Sequence, residues 1–115
     1  MSGILVVEAG GKRFGVPVDE VREAARLGRV APLPGGLATY AGLAIVRGQP
    51  LGVFDLGMAL TGQRAEPNGL LVVLHDGPNA LLVDRIEGIE PEPEGALTQS
   101  GACLLNLTKV FEMGI

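Results

Sequence analysis

The chain is short of rings, of cysteine and of basic groups. Tryptophan is absent, and one tyrosine and three phenylalanines are all the aromatics in 115 residues. So few rings leave little to stack on bases, and they make the core aliphatic. Nine Lys and Arg stand against thirteen Asp and Glu, a net charge of −4. Nucleic acid and anionic membrane surfaces need clustered Lys and Arg, so this balance argues against both as main partners. The longest apolar stretch, GLATYAGLAIV (36–46), is too short and too rich in glycine to span a bilayer, which takes about 20 residues. No direct membrane insertion is expected. The opening MSGILVVEAGGKRF has no basic leader and only a short apolar run, so it does not read as a signal peptide. The single cysteine, Cys103, has no partner for an internal disulfide. Inside the run ACLLNL it reads as a small buried hydrophobe in a reducing cytoplasm.

What is present is aliphatic and punctuated. Hydrophobic residues make up 47% of the chain, and 18 glycines and 8 prolines break them into short runs, which favours many short strands over long helices. The length suits one domain, or two small intertwined lobes. ILVVEA (4–9) reads as a strand, Gly10-Gly11 as a turn, and KRFGVPV (12–18) as an alternating strand with Phe14, Val16 and Val18 on one face. DEVREAA can form one or two helical turns with Asp19 as N-cap. YAGLAIV and PLGVFD form a hairpin around Arg47-Gly48, after which Asp55 caps a short helix, LGMAL. A polar link (61–69) follows. Then come a strand LLVVLH, a turn DGPN, a strand ALLVDRI, an acidic proline-rich loop EGIEPEPEG, and a strand ACLLNL whose Asn106 caps a last turn.

The second half repeats the order of the first. Leu5-Val6-Val7 leads through a glycine turn to Val18-Asp19-Glu20-Val21, and Leu71-Val72-Val73 leads through a glycine turn to Val83-Asp84-Arg85-Ile86. Val53-Phe54-Asp55-Leu56 likewise echoes Leu104-Leu105-Asn106-Leu107. Duplication of one unit explains this, and so does the reuse of strand–turn–strand units common to β proteins. Either way, one lobe of about 55 residues is marginal alone, and two lobes sharing apolar surface are expected.

The inventory of reactive groups yields no enzyme. His75 is the only histidine and ends a strand before a turn, with no second His or Cys nearby to make a base pair or a metal site. AGGKRFG lacks the lysine-hydroxyl ending and the long helix of a phosphate loop. Alternation with proline splays the carboxylates of EPEPE (90–94), which reads as a solvated loop rather than a cation site. No serine or threonine sits in a nucleophile-elbow pattern. No catalytic residue, metal or cofactor is expected.

The runs FGVPVDEVREAARLGRVAPLPG, YAGLAIVRGQPLGVFDL, NALLVDRIEGIEP and CLLNLTKVF, in this order and spacing, resemble the CheW family of chemotaxis coupling proteins. The resemblance runs from Ile4 to about Phe111. It implies a mainly β fold of two intertwined five-stranded SH3-like β-barrels with short helices, forming a single CheW-like domain over 1–115 whose two lobes are linked near 61–69. It also implies a non-enzymatic adaptor that couples the cytoplasmic tip of a methyl-accepting chemoreceptor to the regulatory domain of the histidine kinase CheA. The family's receptor-binding positions fall on Val21, Glu23, Arg47 and Gly48; the kinase-binding residues are not placed. By their own chemistry Arg47 and Glu23 are open to two readings, solvated charges or a pair of opposite signs that orients a partner. Ile45 and Val46 stand where the family often has Asn and Leu, and the stretch 94–101 is short. These departures keep a second assignment open: a divergent stand-alone module that binds another kinase or serves pili.

Overall fold

Two apolar runs, Leu70–Leu74 and Asn79–Val83, bury nearly every side chain, and the period of two along a strand sends alternate residues to opposite faces. Val72, Leu74, Leu81 and Val83 enter one core, whereas Leu71, Val73, Ala80 and Leu82 enter a second. The rest of the molecule is arranged around those two faces. The structure, a computed structural model, describes residues 3–31, 39–64, 69–75 and 77–113.

The elements follow in order: β1 (Gly3–Ala9), β2 (Lys12–Pro17), a 3-10 turn (Val18–Glu20), β3 (Val21–Arg26), β4 (Val30–Ala31), β5 (Tyr40–Val46), β6 (Gln49–Asp55), helix α1 (Leu56–Thr61), β7 (Leu70–Leu74), β8 (Asn79–Val83), β9 (Arg85–Pro91), β10 (Cys103–Leu104) and helix α2 (Leu107–Met113). They form a mainly β molecule of two sheets, ordered β10-β2-β1-β9 and β3-β7-β8-β6-β5-β4. The echo between the halves is structural. Hairpin β1–β2 sends its next strand, β3, across to pair with β7. Hairpin β7–β8 sends its next strand, β9, back to pair with β1. β6 lies parallel to β8, as β10 lies parallel to β2. Both helices that follow are capped alike: Asp55 Oδ1 accepts from the Met58 N–H at 3.1 Å, and Asn106 Oδ1 from the Lys109 N–H at 3.3 Å.

The first core lies between the sheets. It takes Val7, Phe14 and Val16 from one sheet, Phe54, Val72 and Leu81 from the other, and Leu107 and Val110 from α2. Phe54 is its centre, with the Tyr40 and Phe111 rings each 5.2 Å away in edge-on contact. The second core is enclosed by the six-stranded sheet, whose strands from β3 to β4 all turn residues toward it.

Several expectations from the sequence change here. The stretch DEVREAA does not form the anticipated helical turns: only Val18–Glu20 make a 3-10 turn, with no side-chain cap from Asp19, and Val21–Arg26 run as a strand. The edge of β7 supplies a row of backbone partners for that segment, and this pairing outweighs the modest helix propensity of Glu, Arg and Ala. Val18 ends in the turn rather than on the strand face of Phe14 and Val16. Half of the anticipated acidic loop is strand β9, paired with β1. Cys103 is exposed, not core, because it lies on the outer face of the edge strand β10. The two five-stranded barrels are replaced, among the described residues, by sheets of four and six strands, neither closed by a backbone ladder. Parts of the anticipated loop before β5 (32–38) and of the link (65–68), and Asp76 of the DGPN turn, lie outside the described residues.

Phe54 is fully buried. Replacing it with Ala removes a ring that both halves pack against, and urea unfolding is expected to show a loss of about 3–5 kcal/mol. A loss under about 1 kcal/mol would contradict the shared core.

Candidate functional site

The hairpin β5–β6 is closed by only two residues, Arg47 and Gly48, between the paired Val46 and Gln49. Both have positive φ, 52° and 78°, as the tightest hairpin turns require. Gly48 suits that conformation, and a Cβ there would meet nothing within 4 Å, so glycine serves the backbone angle rather than space. Arg47 does not suit it: among the described residues it is the only non-glycine with positive φ. A less favourable backbone is kept at an exposed apex, which directs attention to its side chain.

That side chain reaches across the lobe. Arg47 Nε donates to Glu23 Oε1 at 2.7 Å. Glu23 Oε2 lies 3.7 Å from Arg22 Nε, and Arg22 Nη1 donates to Gln49 Oε1 at 3.2 Å. β3 is one edge of the six-stranded sheet and the β5–β6 hairpin lies toward the other, so these bonds bridge a seam that no backbone ladder closes among the described residues. The hydrogen bond to Glu23, and then the charge of Glu23, raise the Arg47 pKa above the ordinary arginine value. The Arg47 side chain remains 78% exposed, and among the described residues neither of its Nη groups makes a hydrogen bond. The fork therefore keeps donors for a second carboxylate while its orientation is held by the first.

The four residues singled out from the sequence thus come together in part. Glu23, Arg47 and Gly48 form one cluster, but Glu23 and Arg47 are bound to each other rather than standing as separate charges. Val21 opens β3 and packs half-buried against the core between the sheets. It is next to Glu20, which borders a cavity of about 300 Å³ where the 3-10 turn, the end of β7 and α2 meet. Leu74, Leu107 and Phe111 give this cavity apolar walls, and Asp19, Glu20 and exposed His75 stand on its rim. The His75 N–H donates to the Glu20 carbonyl at 3.0 Å, which fixes the rim to β7. A second cavity, of about 470 Å³, shares Glu20 and Leu107 with the first and runs toward Leu104 and Leu105.

One surface was not legible beforehand. Along β5, Ala44 and Val46 point inward, while Leu43 and Ile45 stand 40% and 67% exposed on the outer face. With Ala31 and Pro50 they line a shallow apolar groove rimmed by Arg29. The run YAGLAIV is apolar at both parities, so its letters carry no sign of which parity faces water.

Among the described residues no three His, Cys, Asp or Glu side chains gather as metal ligands, and no helix is long and apolar enough to cross a membrane. Glu90, the first carboxylate of EPEPE, accepts from the Ser100 N–H at 3.0 Å, and its hydrogen bonds to Ser100 lower its pKa. It ties the loop before β10 to β9.

Comparison with known proteins bears on the fold. No curated protein sequence matches the chain. Among solved structures, the scaffolding protein TtCheW from Thermoanaerobacter tengcongensis superposes with a TM-score of 0.72 over 84% of this chain. Identity is 17%, so the likeness is one of fold, and this chain spans 65% of the length of that one. A family model described as CheW-like domain matches residues 3–110. With nearly its whole length covered, the chain belongs to the CheW-like domain family.

Proposed function

We propose that this chain is a non-enzymatic adaptor that holds the helical tip of a chemoreceptor and the regulatory domain of a CheA-type histidine kinase in fixed relation. In this reading the whole chain acts as a single domain of two lobes linked near 61–69. The observation that carries it is the Glu23–Arg47 pair. An arginine kept at a strained turn, oriented by one carboxylate and retaining donors for another, suits registration of a partner rather than stability of the fold. The cavity beside Val21 supplies apolar wall for a helix stripe, and a helical hairpin laid there would bring its own charges to the pair. The apolar strip of Leu43, Ile45 and Pro50 stands on the outside of the same hairpin. It offers a second, separate surface to the kinase domain, as exposed apolar patches commonly do. Such an arrangement works in the cytoplasm, by contact alone.

Three outcomes are expected. Arg47→Gly removes the guanidinium and relieves the backbone, so the melting temperature stays within a few degrees of the parent or rises, while capture of receptor tips falls at least tenfold. Exchanging the charges, Glu23→Arg with Arg47→Glu, keeps the internal pair but reverses what the partner meets. The melt should be unchanged and receptor binding should stay lost; restored binding would mean that the pair serves only the fold. Ile45→Asp should leave the fold and receptor capture intact, and calorimetry with the kinase regulatory domain should show affinity weakened about tenfold or more. Unaltered heats would move the kinase face elsewhere, and kinase binding without any receptor binding by the parent chain would favour a module of another pathway.

A further inference from the structure

We propose that this chain can exchange halves with a second copy of itself, giving a dimer in which each β unit is built from the first half of one copy and the second half of the other. The ground is the reciprocal crossing of strands. Of the eight ladders among the described residues, four join the two halves: β1 with β9, β2 with β10, β3 with β7, and β6 with β8. Within the second half only β7 and β8 pair with each other, and a lone two-stranded hairpin is marginal in water. Both cores are composite as well. Phe54 and Val16 of the first half meet Val72 and Leu81 of the second, and Leu51 and Val53 meet Leu71 and Leu82. The contact between halves is therefore the core itself, and it stays the same whether the halves belong to one chain or to two.

Among these elements the chain passes from the first half to the second once, between α1, ending at Thr61, and β7, beginning at Leu70. A short tether makes the partner half available at an effective concentration of about millimolar. The closed monomer dominates in dilute solution, and exchange competes when refolding takes place at comparable concentrations of chain. Glu23 and Arg47 lie in the same half, so each unit of the dimer keeps its pair. The product is a particle with two copies of the candidate site, a different object from two monomers touching at their surfaces.

Two full-length experiments decide it. Chains carrying two different affinity tags are unfolded together, refolded at about millimolar concentration, diluted, and captured through one tag. The second tag should be retained in a species of twice the monomer mass that persists on dilution and disappears after unfolding and dilute refolding. In parallel, Phe54→Asp places a charge in the core from the first half and Leu81→Asp does so from the second, at two fully buried positions. Each variant alone is expected to lose its folded signal. Refolded together, the intact first half of one and the intact second half of the other should restore up to half of the signal of the parent chain. A persistent two-tag dimer or rescue in the mixture establishes exchange. A parent that stays monomeric at every concentration, with a mixture that equals the sum of its parts, overturns it.

Discussion

The structure depends on one constraint: neither half of the chain can finish its own sheet. β3 leaves the first hairpin for β7, and β9 leaves the second for β1, so each half lends the other a strand that its own hairpin lacks. Unpaired edges and half-covered apolar faces are costly, and reciprocal crossing reduces both at once. Phe54, with Tyr40 and Phe111 edge-on to it, sits in the core that both halves and both helices share.

The candidate site is a by-product of how that constraint is met at the far end of the six-stranded sheet. Among the described residues the sheet wraps the second core without closing by a backbone ladder, and the seam is spanned by Arg47, Glu23, Arg22 and Gln49. Side-chain bridges at an exposed seam are weak compared with a ladder, and they can be shared with a visitor. The candidate site thus lies where, among the described residues, backbone closure is missing. The hairpin that carries Arg47 also carries Leu43 and Ile45 on its outer face, so one short element borders both candidate surfaces.

Much of this was legible in the letters, and the failures are instructive. The turns at Gly10-Gly11 and Arg47-Gly48, the caps at Asp55 and Asn106, and the matched order of the halves were all readable, because each depends on chemistry within a few residues. The residues of DEVREAA favour helical turns locally, but for Val21–Arg26 a partner strand nearly fifty positions away decides otherwise. Cys103 was read as buried because its neighbours are apolar, yet an edge strand turns every second residue to water. Glu23 and Arg47 were picked out separately, and nothing at a spacing of 24 residues says that they bind each other.

The sequence by itself determined the class of molecule: an aliphatic, acidic, strand-rich chain with matched halves and no reactive cluster. Composition, local turn chemistry and the period of two are properties of short windows, and they survive any arrangement in space. Tertiary structure alone decided which sheet each strand joins, which parity of YAGLAIV meets water, and that an exposed arginine is held by a glutamate across an open seam. Those outcomes depend on contacts between residues far apart in the chain, where many pairings are compatible with the same letters and only the joint packing of both halves selects one.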